Sequence, residues 1–91
     1  MAFFMEKIFN MTNIPKDVTQ GVPLISIIGN EELFVENFRG ILEYTCELIR
    51  IQTKIGRILI KGKGLSIESY SHDDMKIRGH IYVVEYQVGG T

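Results

Sequence analysis

From residue 24 to residue 86 the chain alternates between apolar and polar side chains with a period of two. This is the spacing of a β-strand, in which successive side chains point to opposite faces of a sheet. The apolar residues also suit a pleated surface, since there are 14 isoleucines and 6 valines against 6 leucines and one alanine. No connection after residue 24 is long enough for a crossover helix, which excludes a parallel α/β sheet. The sequence therefore predicts an all-β domain.

Breaks in the alternation predict eight strands with a turn between each pair. The strands are Leu24–Ile28, Leu33–Glu36, Ile41–Tyr44, Leu48–Thr53, Arg57–Lys61, Leu65–Tyr70, Met75–Arg78 and Ile81–Tyr86. Gly29-Asn30 and the glycines at 40, 56, 64 and 79 fall at or near the expected turns, where a positive φ costs glycine little. Strands and turns at this spacing indicate a single antiparallel meander of six to eight short strands, sandwich- or barrel-like.

The alternation also assigns the side chains to two faces. We expect one face to be dry and rich in isoleucine, with Ile25, Ile27, Ile49, Ile51, Ile58, Ile60, Leu65, Ile67, Met75, Ile77, Ile81 and Val83. The opposite face combines Leu48, Leu59, Tyr70, Tyr82, Val84 and Tyr86 with Arg50, Arg57, Lys61, Glu68, Lys76 and Arg78. So much apolar surface on a second face indicates that it receives another element or serves as an interface.

An N-terminal segment precedes the sheet. Residues 3–11 have the spacing of a short helix that carries Phe3, Phe4 and Phe9, and the residue before Pro15 disfavours its continuation. We divide the chain into a helix and arm over residues 1–13 and a single β domain over residues 14–91. A helix this short is not stable alone in water, so it docks on its own sheet, on a membrane surface or on a partner.

Length and charge restrict the class of protein. A chain of 91 residues holds one modest core, and a net charge of −1 is not that of a protein built around nucleic acid or an anionic membrane. The longest nearly apolar run, residues 22–28, is far shorter than the ~18 residues of a membrane span. Glu6 and Lys7 interrupt the apolar stretch that a signal peptide needs. The expected location is the cytoplasm.

Charged residues are segregated along the chain. Residues 31–47 hold five acidic side chains and one basic, whereas residues 50–63 hold five basic side chains and no acidic one. The first interpretation is pairing between neighbouring strands. The second is a dipolar module that contacts copies of itself or a partner. A third is a small nucleic-acid-binding or regulatory domain that uses the basic 50–63 segment to follow phosphates.

The residues that usually carry chemistry do not form a convincing site. Ser71-His72-Asp73 has the letters of a catalytic triad, but adjacent residues in a loop point apart, and a polar turn explains them better. His72 and His80 lack a fixed metal-ligand spacing. Gly62-Lys63-Gly64 lacks the rest of a phosphate-binding loop and suggests a hairpin turn. Cys46 is the only cysteine and is expected to be a small filler or an exposed thiol. We therefore predict no enzyme, cofactor or metal site.

Residues 14–86 contain an ordered set of segments that resembles a known family. The segments are Ile14-Pro15-Lys16-Asp17-Val18, Val22-Pro23, residues 25–30, Val35-Glu36-Asn37, Arg39-Gly40-Ile41, Glu43-Tyr44-Thr45, Ile49-Arg50-Ile51, Thr53, Gly56, residues 58–62, Leu65-Ser66-Ile67, Ile77, Gly79, Ile81 and Glu85-Tyr86. In this order they resemble the YabP/YqfC family of sporulation proteins, and most closely its YqfC branch. Cys46 and Leu48 depart from the polar residues expected there.

The resemblance implies a non-enzymatic role in spore formation, in the mother cell. The YqfC branch looks like the small companion of a larger membrane-anchored sporulation protein, YqfD, while the YabP branch is linked to spore-coat assembly. The expectation is a binding or scaffolding module, located in the cytoplasm or at a membrane through its partner, with self-association left open. The residues assigned to interaction are Phe3, Phe4, Phe9, Arg50, Arg57, Lys61, Tyr70, Tyr82 and Tyr86.

Overall fold

A computed structural model describes residues 21–88, which form six antiparallel strands and no helix. The strands are β1 (Leu24–Ile28), β2 (Glu32–Glu36), β3 (Phe38–Tyr44), β4 (Leu48–Thr53), β5 (Gly56–Tyr70) and β6 (Asp74–Val88). The all-β antiparallel class is confirmed, at the lower end of the predicted number of strands. The predicted N-terminal helix, with Phe3, Phe4 and Phe9, lies outside the described residues.

The strand order is β1-β2-β6-β5-β4-β3, so the chain is not the simple meander that the sequence predicts. β2 pairs with β6 rather than with β3, its neighbour in sequence. A single residue, Asn37, links β2 to β3. Its φ is 68°, a left-handed value that asparagine adopts more readily than most other residues. The Asn37 amide donates to the carbonyl of Asp73, and its side chain donates to the carbonyl of Val22. These two hydrogen bonds hold Asn37 in place where the chain passes from β2 to β3, which is the edge strand at the far end of the strand order.

β5 and β6 are each 15 residues long, and their pairing shifts register in the middle, between the pairs Lys63–His80 and Ser66–Arg78, where we place a bend. The prediction of separate strands on either side of Gly64 and Gly79 was wrong, and Gly62-Lys63-Gly64 is not a hairpin turn. A Cβ on Gly62 would overlap the carbonyl oxygen of His80, and one on Gly79 would lie 2.7 Å from the carbonyl oxygen of Gly64. These glycines are needed because two backbones approach closely at the bend.

The bend divides the sheet into two layers. Layer A contains β1, β2 and residues 66–70 and 74–78, while layer B contains β3, β4 and residues 56–63 and 80–88. Side chains from both layers join one buried cluster: Leu33, Val35, Phe38, Ile49, Ile51, Ile58, Ile60, Leu65, Met75, Ile77 and Ile81. The sheet therefore folds over on itself and encloses a single core.

Most of the predicted dry face is confirmed. Ile49, Ile51, Ile58, Ile60 and Ile77 are completely buried, and Ile25 and Ile67 pack against the core from its margin. Ile27 also points to this side, opposite Leu33, but it is 47% exposed because β1 is the last strand of layer A.

Two β-bulges reverse the prediction for the second half of β6 and the end of β5. Tyr82 is an extra residue, because Lys61 pairs with Val83 and Gly62 with Ile81. Val83 is consequently on the outside, whereas Val84 packs against the core and Tyr86 lies opposite Ile58. A one-residue shift in a strand exchanges its two faces, so residues 83–86 were assigned to the wrong ones.

The second bulge is at Glu68, between the pairs Ile67–Ile77 and Ser69–Lys76. It turns Tyr70 to the inner side, opposite Met75, where its ring meets that of Phe38 edge to face at 5.4 Å. The prediction that Tyr70 lies on the outer face was therefore also wrong.

Candidate functional site

The outer face of layer B carries the exposed apolar side chains that the core does not use. Its rows follow from the strand register: Arg50, Leu59 and Glu85 lie side by side, and so do Leu48, Lys61 and Val83. We call this surface the docking face and define it by Leu42, Leu48, Arg57, Lys61, Tyr82 and Val83.

Apolar exposure on the docking face is substantial. Tyr82 is 63% exposed, Leu42 is 50% exposed and Val83 is 40% exposed. Tyr82 and Leu42 are both the extra residues of bulges, in β6 and β3 respectively, and each keeps the outward position that follows its inward neighbour, Ile81 or Ile41. Leu59 is different, because it is 6% exposed and yet does not belong to the core cluster. The exposed apolar side chains therefore lie on β6 and at the β3 edge, whereas Leu59 on the intervening strand β5 is buried.

Basic side chains lie among these apolar ones. Arg57 and Lys61 are exposed and occupy alternate outward positions of β5. Arg50 is held by an ion pair with Glu43, its cross-strand neighbour in β3, with 3.1 Å between the Arg50 Nη2 and Glu43 Oε1 atoms. This contact confirms pairing between the acidic and basic segments at one position. Two carboxylates, Glu43 and Glu85, thus interrupt the basic stripe.

The outer face of layer A is a closed network of charges. Glu32, which is 8% exposed, lies 3.6 Å from the Lys76 ammonium and 3.8 Å from the Arg78 guanidinium. Glu68 approaches the same two cations at 3.5 Å each. The Lys76 ammonium also stands 5.5 Å from the centre of the Phe34 ring. Glu32 thus pairs within layer A and not with the 50–63 segment, and these four charges satisfy one another.

The residues considered for catalysis form a structural turn. Residues 71–73 connect β5 to β6, as the polar-turn interpretation predicts. The Ser71 hydroxyl accepts a bond from the Asp74 amide at 3.2 Å, which engages it in the turn itself. His72 lies in this turn, whereas His80 lies at the bend of β6 opposite Lys63. Cys46 is an exposed free thiol in the β3–β4 turn. Within residues 21–88 no group of three or more His, Cys, Asp or Glu side chains is arranged to hold a metal.

Six of the predicted interaction residues lie within residues 21–88, and the structure brings four of them to one surface and separates the other two. Arg50, Arg57, Lys61 and Tyr82 share the outer face of layer B. Tyr70 and Tyr86 instead lie at opposite ends of the inner face, 58% and 46% exposed. Partial burial raises the pKa of the Tyr86 hydroxyl above its usual value of 10.0. Sequence reasoning missed Val83 because the bulge at Tyr82 turns it outward, and it missed Leu42 although alternation after Ile41 already places that side chain outside.

Comparison with known proteins shows the family of the chain. The sequence model described as the YabP family matches residues 19–91. The chain belongs to the YabP family. It is also 33% identical over 73 residues to the "Uncharacterized protein YqfC" of Bacillus subtilis (strain 168), an alignment that covers 80% of this chain and 78% of that protein. The resemblance of the sequence to this family is thereby confirmed.

Two further findings accompany this result. No solved structure matches the YabP-family chain. Within the part of the chain that the structure describes, there is no helix of the length and hydrophobicity that crossing a membrane requires.

Proposed function

We propose that this YabP-family protein acts in spore formation as a non-enzymatic binding module, and that its docking face binds a membrane-anchored sporulation partner of the YqfD kind. The observation that carries the proposal is the set of exposed apolar side chains, Tyr82, Val83 and Leu42, on the outer face of a sheet whose core is already complete. Membership of the YabP family supports a role in spore formation, and action in the mother cell is part of the proposal.

The composition of the docking face suits a protein partner. Aromatic and arginine side chains are enriched in interfaces, and here Tyr82 and Arg57 accompany apolar residues. A specific interface takes about 800 Å² from each protein. Four strands, β3, β4 and the parts of β5 and β6 in layer B, form this outer face, and in this proposal they supply that area together.

Charge indicates what the partner presents. Arg57 and Lys61 form no ion pair within residues 21–88 and flank the apolar side chains. A complementary partner therefore offers an apolar segment with carboxylates at its rim, which favours correct orientation and rapid association. In this proposal Phe3, Phe4 and Phe9 add apolar contacts from the N-terminal segment, and the protein reaches the membrane through its partner.

Binding to nucleic acid is less well supported. A groove that follows phosphates consists of cations with stacking aromatic residues between them. On the outer face of layer B, Glu43 and Glu85 lie among the cations, and Arg50 is already neutralised by Glu43. These carboxylates would repel a phosphate backbone.

The test compares two tyrosines of similar exposure. Tyr82→Ser removes an aromatic ring from the docking face. Tyr70→Ser removes one from the inner face, next to the turn that joins β5 to β6. Each variant is co-expressed with the membrane-anchored partner. The partner is captured in detergent, and the amount of the variant retained with it is measured. We expect Tyr82→Ser to lose at least about tenfold in retained protein, because interface aromatic residues often contribute 2 kcal/mol or more. Tyr70→Ser is expected to bind as the unsubstituted protein does.

Circular dichroism of both variants establishes that they are folded, and counts of heat-resistant spores measure the consequence in cells. Equal retention of Tyr82→Ser and Tyr70→Ser would show that the docking face is not the binding surface. Binding of a single-stranded oligonucleotide that is lost in Lys61→Glu would instead support the nucleic-acid alternative.

A further inference from the structure

The two ends of the sheet differ in how well they are protected from pairing with another strand. β3 forms one edge, and its pairing with β4 shifts register twice, at Arg39 and at Leu42. Bulges and charged residues are means by which proteins prevent edge strands from joining other sheets. β1 forms the other edge, with five consecutive pairs to β2 and no shift. Its sequence, Leu-Ile-Ser-Ile-Ile, contains no charge and no proline.

β1 is also held firmly in its extended form. The turn that joins β1 to β2 is fixed by two backbone bonds from β6: the Ile81 amide donates to Asn30 at 2.7 Å, and the Gly79 amide donates to Glu31 at 3.1 Å. Before β1, the carbonyl of Val22 accepts the side-chain bond of Asn37. Among residues 21–88 only β2 pairs with β1, so within the described part of the chain the outer row of backbone groups of β1 has no strand partner.

We propose that β1 pairs with β1 of a second copy of the chain, antiparallel about a two-fold axis at Ser26. In this register Ser26 faces itself, Ile25 faces Ile27 of the other copy, and Leu24 faces Ile28 of the other copy. All five pairs are uncharged, and each is compatible with the two-fold symmetry of a homodimer. Ile27, which is 47% exposed although it points to the core side, becomes covered by Ile25 of the second copy.

The expected dimer is weak. Two five-residue strands bury less than the 1,200–2,000 Å² typical of stable complexes, so association depends on protein concentration. β1 belongs to layer A and the docking face to layer B, so both copies keep their docking faces accessible. The dimer would consequently present two docking faces to a membrane-anchored partner and bind it with avidity where the partner is clustered.

A cysteine cross-link tests the register directly. In the Cys46→Ser background, Ser26→Cys places a thiol on the two-fold axis, where facing Cα atoms in an antiparallel pair are about 4.5–5.5 Å apart. This separation lies within the range of about 4.4–6.8 Å that a disulfide accepts. We expect mild oxidation to produce a disulfide-linked dimer. The matched control is Leu42→Cys in the same background, which places an exposed thiol on the opposite edge strand and is expected to stay monomeric.

Sedimentation equilibrium of the unsubstituted chain over a wide concentration range gives the second measurement. We expect a reversible monomer–dimer equilibrium, which Ser26→Lys shifts to monomer by placing two like charges opposite each other. A chain that is monomeric at every concentration overturns the proposal, and so does a cross-link that forms in Leu42→Cys but not in Ser26→Cys. The outcome is independent of partner binding, because Ser26 lies away from the docking face.

Discussion

At the scale of single residues, Tyr86 shows how one side chain reports on the fold. It lies at the margin of the inner face, opposite Ile58, and partial burial raises the pKa of its hydroxyl above 10.0. The unfolded chain therefore releases this proton at a lower pH than the folded chain does. The contribution of the neutral Tyr86 hydroxyl to the free energy of unfolding is therefore fully present below about pH 10. It is lost as the pH rises through the pKa of Tyr86 in the folded chain.

We predict that Tyr86→Phe removes part of this alkaline loss, since phenylalanine has no proton to release. The measurement is the melting temperature by circular dichroism between about pH 9 and about pH 11. Tyr82→Phe is the control, because Tyr82 is 63% exposed and lies on the outside of layer B. A decline in Tyr86→Phe as steep as in the unsubstituted chain would contradict the assignment.

At the scale of strands, the bend in the β5–β6 hairpin is the decisive element. Gly79 has a φ of 145° and no room for a Cβ, because Gly64 and Leu65 of the neighbouring strand lie within 3 Å of that position. We predict that Gly79→Ala lowers the free energy of unfolding by at least about 2 kcal/mol, since both the backbone conformation and the contact are unfavourable for alanine.

Gly40→Ala is the matched control for this prediction. Gly40 also lies within a strand, but its φ is not positive and a Cβ there would meet nothing within 4 Å. Its effect on urea denaturation should stay within about 1 kcal/mol, with either sign. Equal losses in Gly40→Ala and Gly79→Ala would mean that the bend does not require glycine.

The strands also show which parts of the fold the sequence could predict. Alternation identified β1, β4 and the interior isoleucines correctly, because burial on one face imposes a period of two. It could not identify the bulges at Glu68 and Tyr82, since each adds one residue without a break in the pattern of types. The glycines at the bend resembled turn residues, because a close approach of two backbones and a tight turn both select glycine.

The candidate site was predictable to the same limited extent. The basic residues Arg57 and Lys61 fell on the expected face because no bulge separates them in β5. Tyr70 and Tyr86 did not, because each follows a bulge. The pairing of β2 with β6 joins residues about forty positions apart in the sequence, and no local pattern encodes it.

At the scale of the whole molecule, the two layers are not expected to fold independently, because β5 and β6 run through both and the core side chains of both layers join one cluster. We predict that Leu33→Ala in layer A and Ile51→Ala in layer B each lower the free energy of unfolding by about 2–5 kcal/mol, since both side chains are completely buried. Each should move the same single urea transition, observed together by circular dichroism and tyrosine fluorescence. Leu42→Ala, with a leucine that is half exposed, should change stability by less than about 0.5 kcal/mol.

If Leu33→Ala produced a separate early transition while layer B remained folded, the molecule would consist of two units and the bend would be a hinge between them. A single shared transition would instead mean that the β1 edge and the docking face belong to one cooperative folding unit.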